Sequence, residues 1–322
     1  MPAKIEPSSH HLLGLQDVSA PLLRELLLGA EELDRSPPVD QPLRGHVVAN
    51  LFFEDSTRTR TSFSVAAQRL GAGVVDLLGG ASSVNKGETL IDTARNVEAM
   101  GVSALVVRAR QSGAAALIAR HVGVPVINAG DGKHEHPTQG LLDIFTIAKR
   151  FGRADEFDLK GLTVAIVGDI ASSRVARSNI AGLKTLGAKV VCVGPPGLAP
   201  AGLAALGAKV VTRLEEALKG ADAVIMLRIQ FERHGEAKAD APKQAAIASV
   251  REYREFYGLS PERAAALKPE AIVLHPGPIN RGIELDAAIA DGARSVIMPQ
   301  VAHGVTVRMA VLKRAILGSA RA

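Results

Sequence analysis

Hydroxyl and guanidinium side chains crowd into one short segment, STRTR at residues 56–60. The segment follows an apolar run at 46–53, which is typical of a buried strand, and precedes a stretch with helical spacing. A helix that begins near Ser56 would offer free backbone N–H groups and the positive end of its dipole. Hydroxyls bond to phosphate oxygens, and arginine adds a charged bidentate contact. The segment predicts a phosphate site; a capping serine with solvated arginines would explain Ser56 alone.

A second cluster of polar side chains, HEHPTQ at residues 134–139, lies between an apolar run and a helical stretch at 140–151. His136 and Gln139 would be hydrogen-bond donors at another helix start, although a histidine in a plain turn is an equally common interpretation. Two histidines also suggest a metal, but zinc sites need further ligands at recognisable spacing. The only cysteine, Cys192, is remote in the sequence, so no metal and no other cofactor is expected.

Nucleotide-binding motifs do not account for these residues. No G-x-G-x-x-G follows a predicted strand, and GASSVNKG at residues 80–87 lacks the G-x-x-x-x-G-K-[ST] spacing of a phosphate loop. The segment 80–87 is basic and rich in hydroxyl groups, but taken alone it is best interpreted as a surface turn.

Arginines recur at the predicted ends of several strands. The positions are Arg108, Arg174 and Arg228, with Gln230 close behind the last of them. A single arginine of this kind is usually a solvated surface charge. Because the carboxyl ends of parallel strands gather at one edge of a sheet, several of them predict a ligand set that carries a phosphate and further anionic groups.

Short β-branched runs alternate with amphipathic stretches, which predicts an α/β fold with two parallel-sheet domains. The runs lie at 46–53, 73–78, 104–107, 124–128, 162–167, 189–193, 209–211, 223–227 and 271–274. The polar stretch 151–161 suggests a first domain over 1–150 and a second over 151–322. A helix at 305–317 could pack on either domain. The stretch 230–249 lacks periodicity and predicts a long loop.

The composition limits the class of protein. The 322 residues are 47% hydrophobic, include one cysteine and carry a net charge of +5. Neither a membrane span nor a secretory signal is expected, and the single cysteine fits a reducing cytoplasm. Basic residues alternate with acidic ones rather than clustering, which favours an enzyme for anionic metabolites over a nucleic-acid binder.

Together these segments resemble the aspartate/ornithine carbamoyltransferase family over nearly the whole chain and in the same order. STRTR, HPTQ at 136–139 and HPGP at 275–278 are specific in combination. The resemblance implies a carbamoyl-phosphate-binding domain and an aspartate-binding domain, with the active site in the cleft between them. It implies transfer of the carbamoyl group of carbamoyl phosphate to the amine of L-aspartate, in pyrimidine biosynthesis. It also implies a homotrimer with shared active sites, and association with a dihydroorotase or a regulatory chain is one option.

The same resemblance implies individual roles. Residues similar to the family's carbamoyl-phosphate site are Ser56, Thr57, Arg58, Thr59, Arg108, His136 and Gln139, and those similar to residues donated by a neighbouring subunit are Ser82 and Lys86. Residues similar to the aspartate-binding set are Arg174, Arg228, Gln230 and Lys86, with backbone carbonyls at Pro276 and Gly277. The groups expected to act on the reacting atoms are Arg58, Thr59, Arg108 and His136. Many relatives carry Leu or Ala where this chain has Gly277, a change that a backbone role tolerates.

Two alternatives stay open at this stage. The ornithine branch typically carries HCLP where this chain has HPGP, and no cysteine lies there. The two carboxylates of aspartate need guanidinium partners such as Arg174 and Arg228, whereas the second ammonium of ornithine would prefer acids. Because Asp169 and Glu232 are nearby in the sequence, charge alone does not decide between these substrates. The other alternative is a catalytically inactive anion-binding scaffold, against which the intact set of motifs argues.

Overall fold

A computed structural model describes residues 10–78, 88–229 and 249–318 of the chain. The chain divides into two compact units, one formed by Met1–Phe157 with Val301–Ala322 and the other by Asp158–Gln300. The division falls within the polar stretch 151–161, and the end of the C-terminal helix belongs to the first unit. Within the described ranges, no helix is long and apolar enough to cross a membrane.

The first unit is a parallel sheet with helices. Its strands lie in the order β2-β1-β3-β4, and their bounds are β1 Val47–Phe52, β2 Gly73–Leu78, β3 Ala104–Ala109 and β4 Val126–Asp131. Its helices are α1 Ala20–Arg35, α2 Thr57–Arg69, α3 Leu90–Ala99, α4 Ala114–Ala119 and α5 Pro137–Arg150. The i, i+3, i+4, i+7 spacing predicts one apolar face for α2, and all its members are buried: Phe63, Ala66, Ala67 and Leu70.

The second unit repeats this architecture with a five-stranded parallel sheet in the order β7-β6-β5-β8-β9. The strands are β5 Thr163–Val167, β6 Lys189–Val193, β7 Lys209–Val211, β8 Ala223–Met226 and β9 Ile272–Leu274. Its helices are α6 Arg174–Thr185, α7 Leu214–Leu218, α8 Val250–Tyr257, α9 Pro261–Ala264 and α10 Ala287–Ala290, with a 3-10 helix at Ala201–Leu206. The two-domain parallel α/β prediction is confirmed.

Burial on both faces explains why the strands read as nearly continuous apolar runs. All residues of β8 and β9 are buried, and so are all of β4, including its terminal Asp131. Helices must cover both sides of such strands, as parallel sheets require. Alternation of apolar and polar residues therefore does not identify these strands. The length of the apolar runs and their β-branched residues predict them instead.

The C-terminal helix, α11, spans Ile297–Leu317 and begins earlier than the predicted helix at 305–317. Its buried side includes a charged residue, Arg308, which donates to the Ser62 hydroxyl at 2.8 Å and to the Gly304 carbonyl at 3.0 Å. The Arg308 guanidinium also lies 5.1 Å from the centre of the Phe63 ring. Burial lowers the pKa of Arg308 to about 10, against the opposing effect of Asp143, so the side chain stays charged at neutral pH.

Candidate active site

In each sheet the strand order reverses direction at one point. The first sheet reverses between β1 and β3, and the second between β5 and β8. At such a switch point the loops that follow neighbouring strands run in opposite directions and leave a crevice at the carboxyl ends. The STRTR segment, Arg108, Arg174 and Arg228 follow or end these four strands, whereas His136 and Gln139 follow β4 and Pro276 and Gly277 follow β9.

The segment after β1 leads directly into α2. Ser56 occupies the N-cap position of this helix, but its side chain makes no capping hydrogen bond. Helices α1 and α3 of the same unit are capped in the ordinary way, since the hydroxyls of Ser19 and Thr89 accept backbone N–H groups. The Ser56 hydroxyl therefore does not occupy the start of α2, where the helix dipole favours an anion. Of the next residues, Thr57 and Arg58 are exposed and Thr59 is buried.

Arg108 enters the same switch point from β3, where it pairs in register with Phe52 of β1. Its guanidinium lies 2.7 Å from the Glu54 carboxylate and donates to the Ala129 carbonyl at 3.1 Å. Only 12% of the Arg108 side chain is exposed. Two fixed acceptors thus hold the cation beside the start of α2, in a position suited to a phosphate or a polarised carbonyl oxygen.

The loop between β4 and α5 is organised by the buried carboxylate of Asp131. It accepts hydrogen bonds from the backbone N–H groups of Gly113 at 2.6 Å and Glu135 at 3.1 Å, and from the Asn128 amide at 2.8 Å. His136 follows as the N-cap residue of α5, buried and without a side-chain capping bond. A carboxylate with several N–H partners makes a rigid loop, so the position of His136 is fixed by its surroundings.

Gln139, in the first turn of α5, has a fixed amide orientation. Its Nε2 group donates to the Asp143 carboxylate at 2.9 Å, and both side chains are buried. A carboxylate only accepts hydrogen bonds, so the carbonyl oxygen of the amide faces the other way. The sequence predicts Gln139 as a donor; one of the two N–H bonds of its amide is directed at Asp143.

Glu135 is a supporting residue that sequence reasoning missed. Its carboxylate accepts the backbone N–H groups of Leu15 at 2.8 Å and Gln16 at 3.0 Å. A Cβ at Gly14 would lie 2.5 Å from Glu135 Oε1, so only glycine fits there without displacing the carboxylate. The partners are about a third of the chain apart, and the only local signal is an acid immediately before His136.

The second unit places arginines at its own switch point. Arg174 is the first residue of α6, after β5, and is buried; Ser173 caps this helix by accepting the Ala176 N–H at 3.1 Å. Arg228 follows β8, the neighbouring strand, and is half-buried. Pro276 and Gly277 follow β9, which is the next strand along. The sheet therefore brings three of the predicted aspartate-binding segments to one edge.

Several predicted residues cannot be placed. Ser82, Lys86 and Gln230 lie outside the described residues, as does most of the predicted loop at 230–249. Among residues 10–78, 88–229 and 249–318, no group of His, Cys, Asp and Glu side chains is arranged to hold a metal. Cys192 is buried in β6, and burial raises the pKa of its thiol to about 12, so the thiol is protonated at neutral pH.

Comparison with known proteins assigns the family. Residues 10–149 match the aspartate/ornithine carbamoyltransferase, carbamoyl-P binding domain, and residues 160–315 match the Asp/Orn binding domain of the same family. The chain belongs to the aspartate/ornithine carbamoyltransferase family. It is 55% identical over 304 residues to the aspartate carbamoyltransferase catalytic subunit of Myxococcus xanthus, covering 94% of this chain and 98% of that protein. The resemblance inferred from the motifs is confirmed.

Solved carbamoyltransferases share the fold. The aspartate transcarbamoylase of Trypanosoma cruzi in complex with carbamoyl phosphate superposes with a TM-score of 0.81 at 29% identity, over 97% of this chain and 98% of that chain. The ornithine carbamoyltransferase of Thermus thermophilus gives a TM-score of 0.82, also at 29% identity, over 95% and 99% of the two chains. The fold is thus common to both branches of the family and does not separate their substrates.

The tight approach of Gly14 to Glu135 yields a paired prediction. Gly14→Ala should destabilise the protein by about 1–3 kcal/mol, because the added methyl forces the Glu135 carboxylate away from its N–H partners. Gly29→Ala is the matched control: its Cβ meets nothing nearer than 3.8 Å, and Ala within helix α1 should stabilise by about 0.5–1 kcal/mol. Urea unfolding of both variants measures this, and equal effects would show that the contact with Glu135 carries no strain.

Proposed function

We propose that this member of the family is an aspartate carbamoyltransferase, which transfers the carbamoyl group of carbamoyl phosphate to the amine of L-aspartate. The observation that carries the proposal is the arginine pair, Arg174 and Arg228, in the segments that follow two adjacent strands at the switch point of the second sheet. Two guanidinium groups suit a dicarboxylate. The 55% identity to a protein named aspartate carbamoyltransferase catalytic subunit supports the same substrate.

The first unit supplies the site for carbamoyl phosphate in this proposal. Ser56, Thr57, Arg58 and Thr59 surround the phosphate at the uncapped start of α2. Arg108 lies beside them on β3 and bonds to both the phosphate and the carbonyl oxygen. His136 and Gln139 approach the carbamoyl end from the start of α5. Ser82 and Lys86 complete the set, contributed by a neighbouring subunit.

The reaction needs no protein nucleophile. The uncharged amine of aspartate attacks the carbamoyl carbon and forms a C–N bond, and negative charge develops on the carbonyl oxygen. Thr59, Arg108 and His136 are the donors that stabilise this oxyanion, and their rigid attachment lets them do so without reorganising. The C–O bond to phosphate then breaks, the phosphate leaves with the bonding electrons, and one of its oxygens takes the amine proton. Holding two anions in attack geometry supplies much of the acceleration.

The structure also bears on the choice between aspartate and ornithine. The acid nearest Arg174 in the sequence, Asp169, is buried and accepts the backbone N–H of Ser172 at 3.2 Å. A carboxylate that orders its own loop in this way is poorly placed to receive the second ammonium of ornithine. Aspartate is therefore favoured, with Arg174, Arg228, Gln230 and Lys86 reading its carboxylates and the Pro276 and Gly277 carbonyls near its amine.

Assembly, location and pathway form the rest of the proposal. We propose a homotrimer in which each site receives Ser82 and Lys86 from the next chain. A closed ring of identical heterologous contacts allows such donation at every interface. The enzyme would work in the cytoplasm in pyrimidine biosynthesis, and a dihydroorotase or a regulatory chain remains a candidate partner.

The phosphate cradle can be tested at Arg58. Arg58→Ala should lower the rate of phosphate release from carbamoyl phosphate and aspartate by at least about tenfold, since hydrogen bonds to charged groups contribute about 1.5–3 kcal/mol. Arg69→Ala, at the exposed opposite end of α2, is the control and should be unaffected.

Replacing aspartate by ornithine should give no product. A wild-type protein that turns over carbamoyl phosphate with ornithine but not with aspartate would overturn the assignment of substrate.

The proposed contact between Arg228 and a carboxylate of aspartate can be tested by mutation. Arg228→Ala should raise the KM for aspartate by about tenfold or more and leave the KM for carbamoyl phosphate within about twofold. Arg213→Ala, an exposed arginine of the same unit, serves as the control. Equal losses for both substrates would mean that Arg228 supports the structure rather than a carboxylate.

The shared site can be tested by subunit mixing. Lys86→Ala and Arg108→Ala should each be nearly inactive alone. Unfolding and refolding them together should restore activity, because in a mixed trimer about one site in three combines an intact Arg108 with an intact Lys86 donor. If native mass spectrometry finds hybrid trimers and activity stays absent, Lys86 serves its own chain.

A further inference from the structure

The turn after β9 contains a buried histidine that bonds to the backbone. Nδ1 of His275 accepts the backbone N–H of Gly277, with a nitrogen–nitrogen distance of 2.8 Å. On its other side, Nε2 lies 3.2 Å from Oε1 of Glu284, and both side chains are fully buried. The same carboxylate oxygen accepts the backbone N–H of Asn280 at 2.6 Å. The His275–Glu284 pair thus bonds to the backbone of the turn at two points, Gly277 and Asn280.

These contacts fix which ring nitrogen carries the proton. A backbone N–H can only donate, so Nδ1 of His275 must present its lone pair to Gly277. The proton of the neutral ring then lies on Nε2, where the Glu284 carboxylate accepts it. An acid that selects one tautomer of a histidine in this way also fixes the orientation of the ring.

The ring in turn fixes a peptide plane. The peptide between Pro276 and Gly277 is trans, and in a planar trans peptide the N–H and the C=O point in opposite directions. Because the Gly277 N–H points at His275, the Pro276 carbonyl must point away from the ring. Gly277 has a φ of +66°, a left-handed conformation that glycine adopts without strain.

The turn is also bonded to the residue that follows Arg228. The Asn280 amide donates to the Ile229 carbonyl at 3.4 Å, and the His275 N–H donates to the Gln300 side chain at 3.1 Å. Strands β8 and β9 are neighbours in register. The residue proposed to read a carboxylate and the carbonyl proposed to meet an amine are therefore held by one hydrogen-bonded segment.

We propose that His275 and Glu284 are positioning residues that direct the Pro276 carbonyl toward the substrate amine. This inference rests on the proposed function, in which that amine attacks the carbamoyl carbon. A carbonyl of fixed direction would orient the lone pair of the amine for attack. Without the acceptor at Nδ1, the peptide could rotate and present its N–H, which repels an amine that arrives with its own N–H groups.

Paired isosteres separate positioning from plain packing. His275→Asn places an amide oxygen where Nδ1 stands, so it can still accept the Gly277 N–H. His275→Gln can reach toward Glu284 but offers no acceptor at the Nδ1 position. We expect His275→Asn to keep kcat/KM for aspartate within about threefold, and His275→Gln to lose about tenfold or more. The KM for carbamoyl phosphate should be unchanged in both, and their thermal stabilities should fall alike.

Glu284 supplies a second pair in case His275 variants fail to fold. Glu284→Gln keeps a carbonyl oxygen for the ring and for the Asn280 N–H, so activity should stay within about threefold. Glu284→Leu removes the acceptor that selects the tautomer, and kcat/KM for aspartate should fall by about tenfold or more. In the wild type, ¹⁵N shifts of the His275 ring should show an unprotonated Nδ1, a readout independent of activity.

The outcomes distinguish this inference from the function on which it rests. A wild-type enzyme that does not carbamoylate aspartate overturns the proposed function and this inference with it. An active wild type in which folded His275→Gln and His275→Asn lose activity equally, or in proportion to their stability, overturns the inference alone. A protonated Nδ1 in the wild type would do the same.

Discussion

The ion pair between Arg108 and Glu54 is the interaction on which the proposed carbamoyl-phosphate site depends. A phosphate carries more than one negative charge and needs a guanidinium partner. A guanidinium that is mobile before binding loses conformational entropy when the phosphate binds. In this chain the Arg108 side chain is held at 2.7 Å from Glu54 and is largely shielded from water. Glu54 lies between β1 and α2, and Arg108 is the penultimate residue of β3, so the pair links the two segments beside the switch point.

The same arrangement recurs wherever a polar group must be aimed. Asp131 orders the loop before His136, Asp143 turns the amide of Gln139, and Glu284 selects the tautomer of His275. In each case a buried carboxylate accepts a hydrogen bond from the predicted site residue itself or from the loop that carries it. Buried acids in these positions orient the side chains and loops that bond to them. They do so without adding negative charge to the surface that two anionic substrates must approach.

Sequence analysis predicted the strands well, because parallel strands buried on both faces leave long β-branched runs. The bounds of β2, β6 and β7 agree with the predicted ones. It failed where the physical cause is distant in the chain. Glu135 bonds to the N–H of Leu15 across 120 positions, and the start of α11 carries the exposed residue Met298, so neither leaves a local pattern. The STRTR and HPTQ segments could be found because each concentrates its groups at one helix start.

Arg308 closes a contact with Ser62 over a separation of 246 residues, and Gly304 leaves room for its guanidinium. During synthesis on the ribosome, helix α2 emerges long before the segment that packs against it. The first unit therefore stays incomplete while the second unit is synthesised. The second unit can fold before the first is complete. Residues that follow the second unit in the sequence therefore complete the first unit, and a chain that stops before Arg308 lacks a buried part of that first unit.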